Sequence, residues 1–215
     1  MSVALRRAII RTARAMNARG INQGRSGNVS ARWGRGFLIT PTATDYDRLR
    51  PTDIVAMEFG GRWHGRRAPS SEWRFHHDIL KTRPAAGAVV HAHAPYATTL
   101  SCLRRSIPAF HYMVAVAGGN SIRCARYATF GTAALSTSVL AALKGRKACL
   151  LANHGLVAVG EDLEDALRIA EEVETLAAQY WRALIIGRPT ILSKGEMARI
   201  VKKFESYGRP ATTRP

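Results

Sequence analysis

The chain has 215 residues, 47% hydrophobic and 22% charged, which excludes a disordered polymer and suits one domain with a sizeable core. Its 32 Lys and Arg against 15 Asp and Glu give a formal net charge of +17, which is open to three readings: a nucleic-acid partner, an anionic substrate such as a phosphorylated small molecule, or merely a basic surface. The arginines are spread from end to end, with neither zinc-finger spacing nor a basic-aromatic RNA-binding motif, so nucleic acid is not the expected partner.

No stretch has the run of apolar residues that a membrane span needs. The basic start MSVALRRAIIRTARAM lacks a signal-type apolar core and cleavage site, so it reads as the first helix of the fold and the cytoplasm is the expected compartment. Cys102, Cys124 and Cys149 make no disulfide scaffold; each reads as a buried thiol filling space in a reducing compartment.

Residues 2–19 carry Leu5, Ala8, Ile9, Thr12, Ala13 and Met16 at helical spacing, and Gly20 ends the helix. In the following INQGRSGNVSAR, Gly24 and Gly27 mark a turn whose amides could also converge on an anion. It is not a nucleotide fingerprint, because no strand-loop-helix context surrounds it. Asn28 lies just before a strand starting at Val29, and GFLIT at 36–40 reads as another strand. Pro41-Thr42-Ala43-Thr44 forms a loop rich in hydroxyls, residues 53–59 a short strand, and GRWHGRR a basic edge with a solvated His64.

A helix is expected over 69–83, capped by Ser70 or Ser71, with Glu72 in its first turn. Glu72 is either an ordinary helix-terminal charge or a carboxylate reaching the cleft of the next strand. His76 and His77 read as one packed and one solvated side chain rather than ligands. The apolar run Ala88-Val89-Val90 leads to His91 and His93, which alternation places on one face of a strand that Pro95 closes. Two imidazoles at a strand end are either a polar edge or a pair of metal ligands.

A helix follows over 98–103. The run 107–117 then carries His111, Tyr112 and a core Met113 toward Gly118-Gly119-Asn120. After Tyr127 and Gly131 comes a helix to about Lys144. The strand at 148–151 ends at Asn153-His154-Gly155, a short strand LVAVG follows, and a long helix covers 162–184. A last helix runs to Phe204, Tyr207-Gly208 follows, and 209–215 reads as a flexible tail. No internal repeat and no second domain is expected within 1–215.

His154 repeats the setting of His91 and His93: apolar strand, histidine, small residue. Three histidines with an open position are an arrangement for catalytic zinc, and Glu72 is the candidate fourth donor or proton carrier. The spacing is not that of a zincin, whose ligand pair shares a helix.

The segments GNVS at 27–30, ITPT at 39–42, PSSE at 69–72, HAH at 91–93, IPAFHYM at 107–113, GGNSI at 118–122, YATFGT at 127–132 and NHG at 153–155 resemble the class II aldolase/adducin family. They are most similar to its L-fuculose-1-phosphate aldolase branch, and the likeness runs nearly the whole chain. The resemblance implies an α/β domain with a mostly antiparallel central sheet flanked by helices. It implies a cyclic homotetramer with active sites at subunit interfaces. It makes His91, His93 and His154 the ligands of one Zn2+ per subunit, and Glu72 the catalytic acid/base. Gly27 and Asn28, Thr42 and Ala43, and Ser70 and Ser71 would hold the phosphate of a sugar substrate. Tyr112 would come from a neighbouring subunit to protonate the aldehyde oxygen, and Tyr207 would be a mobile tyrosine near the same site.

The implied reaction is cleavage of a ketose 1-phosphate, such as L-fuculose 1-phosphate, to dihydroxyacetone phosphate and an aldehyde. Ala43 stands where the family usually has glycine, which keeps the amide but changes the expected loop geometry. The stretch FHYMVAVAGGN differs from the threonine-histidine-alanine-aspartate pattern of the related pentulose-phosphate 4-epimerases. That epimerase activity, or decarboxylation of a sugar-acid phosphate, stays the alternative on the same metal site. A non-enzymatic adducin-like scaffold is disfavoured because the three histidines and Glu72 are all present.

Overall fold

The computed structural model describes residues 2–206, so Tyr207 and the expected tail at 209–215 lie outside it. In chain order the elements are α1 (Ser2–Ala18), β1 (Asn28–Trp33), β2 (Gly36–Ile39), β3 (Val55–Glu58), β4 (Trp63–His64), α2 (Trp73–Thr82), β5 (Ala88–Ala92), α3 (Pro95–Cys102) and β6 (Ile107–Pro108). There follow β7 (Ser121–Ala125), α4 (Ala133–Leu143), β8 (Ala148–Leu151), β9 (Gly155–Gly160), α5 (Leu163–Ile186) and α6 (Lys194–Ser206). The strands join one nine-stranded sheet in the order β4-β3-β2-β1-β5-β9-β8-β7-β6. Only β7 and β8 run parallel; the other neighbours are antiparallel, as expected.

The sheet is buried on both faces, which is why its central strands read as continuous apolar runs rather than alternating ones. Ala88, Val90 and Ala92 of β5, Leu156 and Ala158 of β9 and Leu150 of β8 pack with Ile9, Ala13 and Met16 of α1 and Ile169, Val173 and Leu176 of α5. On the other face Val89, Val157, Val159 and Leu151 pack with Phe75 and Ile79 of α2 and Leu135 and Val139 of α4. Period-two alternation therefore assigns His91, two residues after Val89, to the α2 side.

Several elements differ from the expectation, each for a local reason. The strand expected at 53–59 starts at Val55, because Pro51–Asp53 makes a 3-10 turn in which Asp53 accepts the Arg50 amide at 2.9 Å. The helix expected from residue 98 starts at Pro95, whose missing N–H costs nothing at the first helical position. The first turn of α3 is closed by Glu174 of α5, which accepts the amides of Tyr96 and Ala97 at 2.8 Å. Residues Tyr112–Ala117 form a 3-10 helix ended by Gly118. β7 is a strand the sequence does not predict: only Ile122 and Ala125 of SIRCA are buried, and pairing with β8 on one side and β6 on the other makes it one.

Two side-chain expectations need correction. Cys102 is exposed at the end of α3 rather than buried, and Cys124 is half-buried; only Cys149 is enclosed. His77 is not solvated: its side chain is 12% exposed, edge-on to Trp73 and Phe59. No helix among the described residues is long and apolar enough to cross a membrane.

Candidate metal centre

β5 ends at Ala92, so His91 closes the strand on the α2 face and His93 follows just beyond it. β9 begins beside that end, with Leu156 opposite Ala92. The turn from β8 to β9 carries Asn153 at φ 56°, a left-handed position that asparagine tolerates better than most residues. Ser101 of α3 then holds the turn: its carbonyl accepts the Asn153 amide at 3.0 Å and its hydroxyl the His154 amide at 3.2 Å. Gly155 lets the two strands approach, since a Cβ there would lie 2.4 Å from the Ala92 carbonyl and 3.2 Å from the His93 ring. Gly155→Ala is expected to destabilise the protein by about 1–3 kcal/mol through this overpacking. A denaturant midpoint equal to that of the parent chain would contradict the close approach.

Glu72 is the N-cap residue of α2, one position before the first turn where it was expected. Neither serine caps the helix as anticipated; instead the Glu72 amide donates to the Ser70 hydroxyl at 3.3 Å. The Glu72 side chain makes no capping bond and turns toward the histidines, where it is 5% exposed.

The four side chains meet. His91 Nε2 is 3.1 Å from Glu72 Oε2, His154 Nε2 is 3.2 Å from Glu72 Oε1, and His93 Nε2 is 3.2 Å from His91 Nε2. One donor atom from each residue lies within 4.8 Å of the others. Two nitrogens bound at zinc distances on a tetrahedral ion are about 3.3 Å apart, so the closest separations suit a cation of that size. The buried Glu72 Oε1 accepts no hydrogen bond. A buried charged oxygen left so is costly, and a cation would satisfy it. The donor set, three imidazoles and one carboxylate, therefore fits a divalent transition metal.

Protonation follows from the same geometry. Burial would raise the Glu72 carboxyl, but His91, His154 and the Asn28 amide outweigh it and hold Glu72 below the usual carboxylate range. Burial would lower His91, but the Glu72 charge and hydrogen bond and the Leu156 carbonyl hold it above 6.5. Burial and the nearby His91 bring His93 and His154 down to about 4. At pH 6 the metal-free site should thus carry one proton, on His91. Metal ligation requires neutral imidazole, so binding is expected to release close to one proton at that pH. Calorimetric titration in buffers of different ionisation enthalpy measures this; release of none, or of three, would contradict the assignment.

The segments expected to hold phosphate are brought together. Thr40 joins them: its amide donates to Val29, its hydroxyl accepts from the Val29 amide, and its carbonyl accepts from Ser70. Pro41 bridges to Pro69. Ala43 keeps the left-handed backbone of a glycine, at φ 49°, and its carbonyl accepts from Arg25 at 3.1 Å. Gly27 has no room for a side chain, and its carbonyl is bonded by the buried Tyr46 hydroxyl. Thr42 and Ser71 are exposed and Ser70 is buried. The Asn28 side chain is committed elsewhere, donating to Glu72 and accepting from His76.

A cavity of about 300 Å³ opens on the centre, lined by Ser26, Ser71, Glu72, His93, Tyr127, Ala128, Phe130, Asn153 and His154. Tyr127 and Phe130 are 56% and 63% exposed at its rim, a role that the bare YATFGT string did not disclose. Tyr112 is 51% exposed, stacked on His111, and does not line this cavity. The positive charge gathers apart from it: Arg48, Arg50, Arg66 and Arg67 line a separate cleft of about 490 Å³.

Fold and donor set together define an α/β protein built around a candidate metal centre. The chain belongs to the class II aldolase and adducin family: the Class II Aldolase and Adducin N-terminal domain matches residues 7–181. It is 58% identical over 206 residues to the 5-methylthioribulose-1-phosphate/5-deoxyribulose-1-phosphate aldolase of Rhodospirillum rubrum, covering 96% of this chain and 93% of that protein. It is 52% identical over 205 residues to the L-fuculose phosphate aldolase of Escherichia coli K12, covering 95% of each. Among solved structures, an L-fuculose 1-phosphate aldolase superposes with a TM-score of 0.91 at 39% identity, over 93% of this chain and 95% of that one. The chain is a class II metal-dependent aldolase, a carbon–carbon lyase.

Proposed function

We propose that the chain, with one Zn2+ per subunit, cleaves a deoxyketose 1-phosphate to dihydroxyacetone phosphate and an aldehyde. The observation that carries the reading is the meeting of His91, His93 and His154 around the orphaned Oε1 of Glu72. The relatives support the substrate class, because the names of the Rhodospirillum rubrum protein and of the superposed structure specify sugar 1-phosphates. The exposed rings of Tyr127 and Phe130 suit the apolar end of such a sugar.

The phosphate docks on the amides and hydroxyls at 27–28, 42–43 and 70–71, with the Asn28 contribution coming from its backbone. A cation held by His91, His93 and His154 would supply Lewis acidity, an electron sink for the carbonyl of the substrate. As the C3–C4 bond breaks, the C4 hydroxyl proton passes to the Tyr112 hydroxyl, which gives its own proton to the ionised Glu72, and Glu72 then delivers that proton to C3. Tyr112 serves the site of a neighbouring subunit in a homotetramer, which agrees with its exposure away from its own chain's cavity.

The test is a screen of ketose 1-phosphates with zinc-loaded protein, reading release of dihydroxyacetone phosphate. Cleavage of 5-deoxyribulose 1-phosphate, 5-methylthioribulose 1-phosphate or fuculose 1-phosphate is the expected result. An isomer or carbon dioxide as the product would replace the aldolase with an epimerase or a decarboxylase.

A further inference from the structure

Behind the candidate metal centre four polar side chains form one line: Ser30, His76, Asn28 and Glu72. None is more than 5% exposed. The direction of every hydrogen bond in the line follows from its last member. An ionised carboxylate only accepts, so Asn28 must turn its Nδ2 to Glu72 Oε2, 3.0 Å away. That leaves Asn28 Oδ1 facing His76 Nε2, and an amide oxygen also only accepts, so Nε2 carries the proton. Burial and the nearby His91 bring His76 down to about 3, so its ring is neutral and has a single N–H. Nδ1 is then bare and accepts the Ser30 hydroxyl at 2.7 Å. Phe75 stacks on the ring, with centroids 4.7 Å apart, and holds its plane.

The consequence is an asymmetry in the carboxylate. Oε2 is held by both Asn28 and His91, whereas Oε1 accepts no hydrogen bond and has only His154 Nε2 beside it, at 3.2 Å. We propose that His76 is a positioning residue: through Asn28 it pins Oε2 and so presents Oε1 as the oxygen that carries the proton. This rests on the aldolase reading, in which Glu72 moves a proton at C3. Without the His76 donor the Asn28 amide is held only at its Glu72 end, and its buried Oδ1 is left without a partner.

Four variants and one spectrum test it. His76→Leu is expected to lower kcat about 10- to 100-fold while KM and zinc content stay close to those of the parent chain. His76→Gln should recover most of the loss, because its side-chain amide can donate where Nε2–H did. Asn28→Ala should be impaired as well, and adding His76→Leu to it should cost nothing further, since both act through one contact. Nitrogen-15 shifts of the histidine rings, assigned against His76→Gln without substrate, should show His76 neutral with its proton on Nε2.

A proton on Nδ1, additive losses in the double variant, or a glutamine variant as slow as the leucine one would each overturn the proposal. Should His76→Leu fail to fold, the glutamine variant and the ring spectrum still decide it. If the parent chain cleaves no ketose 1-phosphate, the aldolase reading fails by itself, and the spectrum still reports on the hydrogen-bond line.

Discussion

Glu72→Gln is expected to reduce turnover by about 10²–10⁴-fold, the range typical of a lost acid/base group, while retaining most of the bound metal. The substitution keeps shape and removes charge and basicity. His91, His93 and His154 still offer three nitrogens, enough to hold a divalent ion in a site with an open position. The new amide has its own difficulty. If its nitrogen replaced Oε2 it would face the Asn28 donor, so its oxygen must take that place and its NH2 must occupy the Oε1 position. A donor would then stand where a proton acceptor is needed. Steady-state release of dihydroxyacetone phosphate, with metal measured by mass spectrometry on the same sample, checks both halves. Full activity in this variant would remove the proton role from Glu72.

His93→Ala should lower metal content and turnover together. Loss of a partner that only orients a ligand costs about 10–100-fold, so loss of a ligand should exceed about 100-fold in metal affinity. The remaining donors would be His91, His154 and Glu72, with His91 drawn to Glu72 at 3.1 Å as a hydrogen-bonded ion pair that competes with the cation. Metal retained after dialysis and the rate with added Zn2+ are the measurements. A variant with full metal and full rate would show that the imidazole cluster does not hold the working ion. The contrast with Glu72→Gln separates the two functions: one variant keeps the ion and loses the proton, the other loses the ion.

Much of this centre was legible before folding because strand periodicity is local. Alternation puts His91 and His93 on one side of a chain whatever surrounds it. The strand-then-glycine setting of His154 was visible in the same way, and so was Glu72 near the start of a helix. The side-chain partners were not legible. Asn28 was expected at the phosphate, but its amide is spent on Glu72 and His76, residues 44 and 48 positions away. His76 was read as a packed histidine, which it is, yet its role comes from the two polar groups it joins. The arginines looked evenly scattered, but folding gathers four of them from the segments 48–50 and 66–67 into one cleft.

The chain's own order of apolar runs, turns and histidines was enough to set the helices, most of the strands and the residue types that could bind a metal. Only the packed sheet decided that β5 lies beside β9, so that His91 and His93 meet His154 across more than sixty positions. It also decided that α2 aims Glu72 at them, that Ala43 keeps a left-handed backbone, and that β7 is a strand at all. The physical reason is one of range. Dihedral preference and periodicity act between near neighbours, whereas pairing register and burial act between segments that touch only after the chain has collapsed.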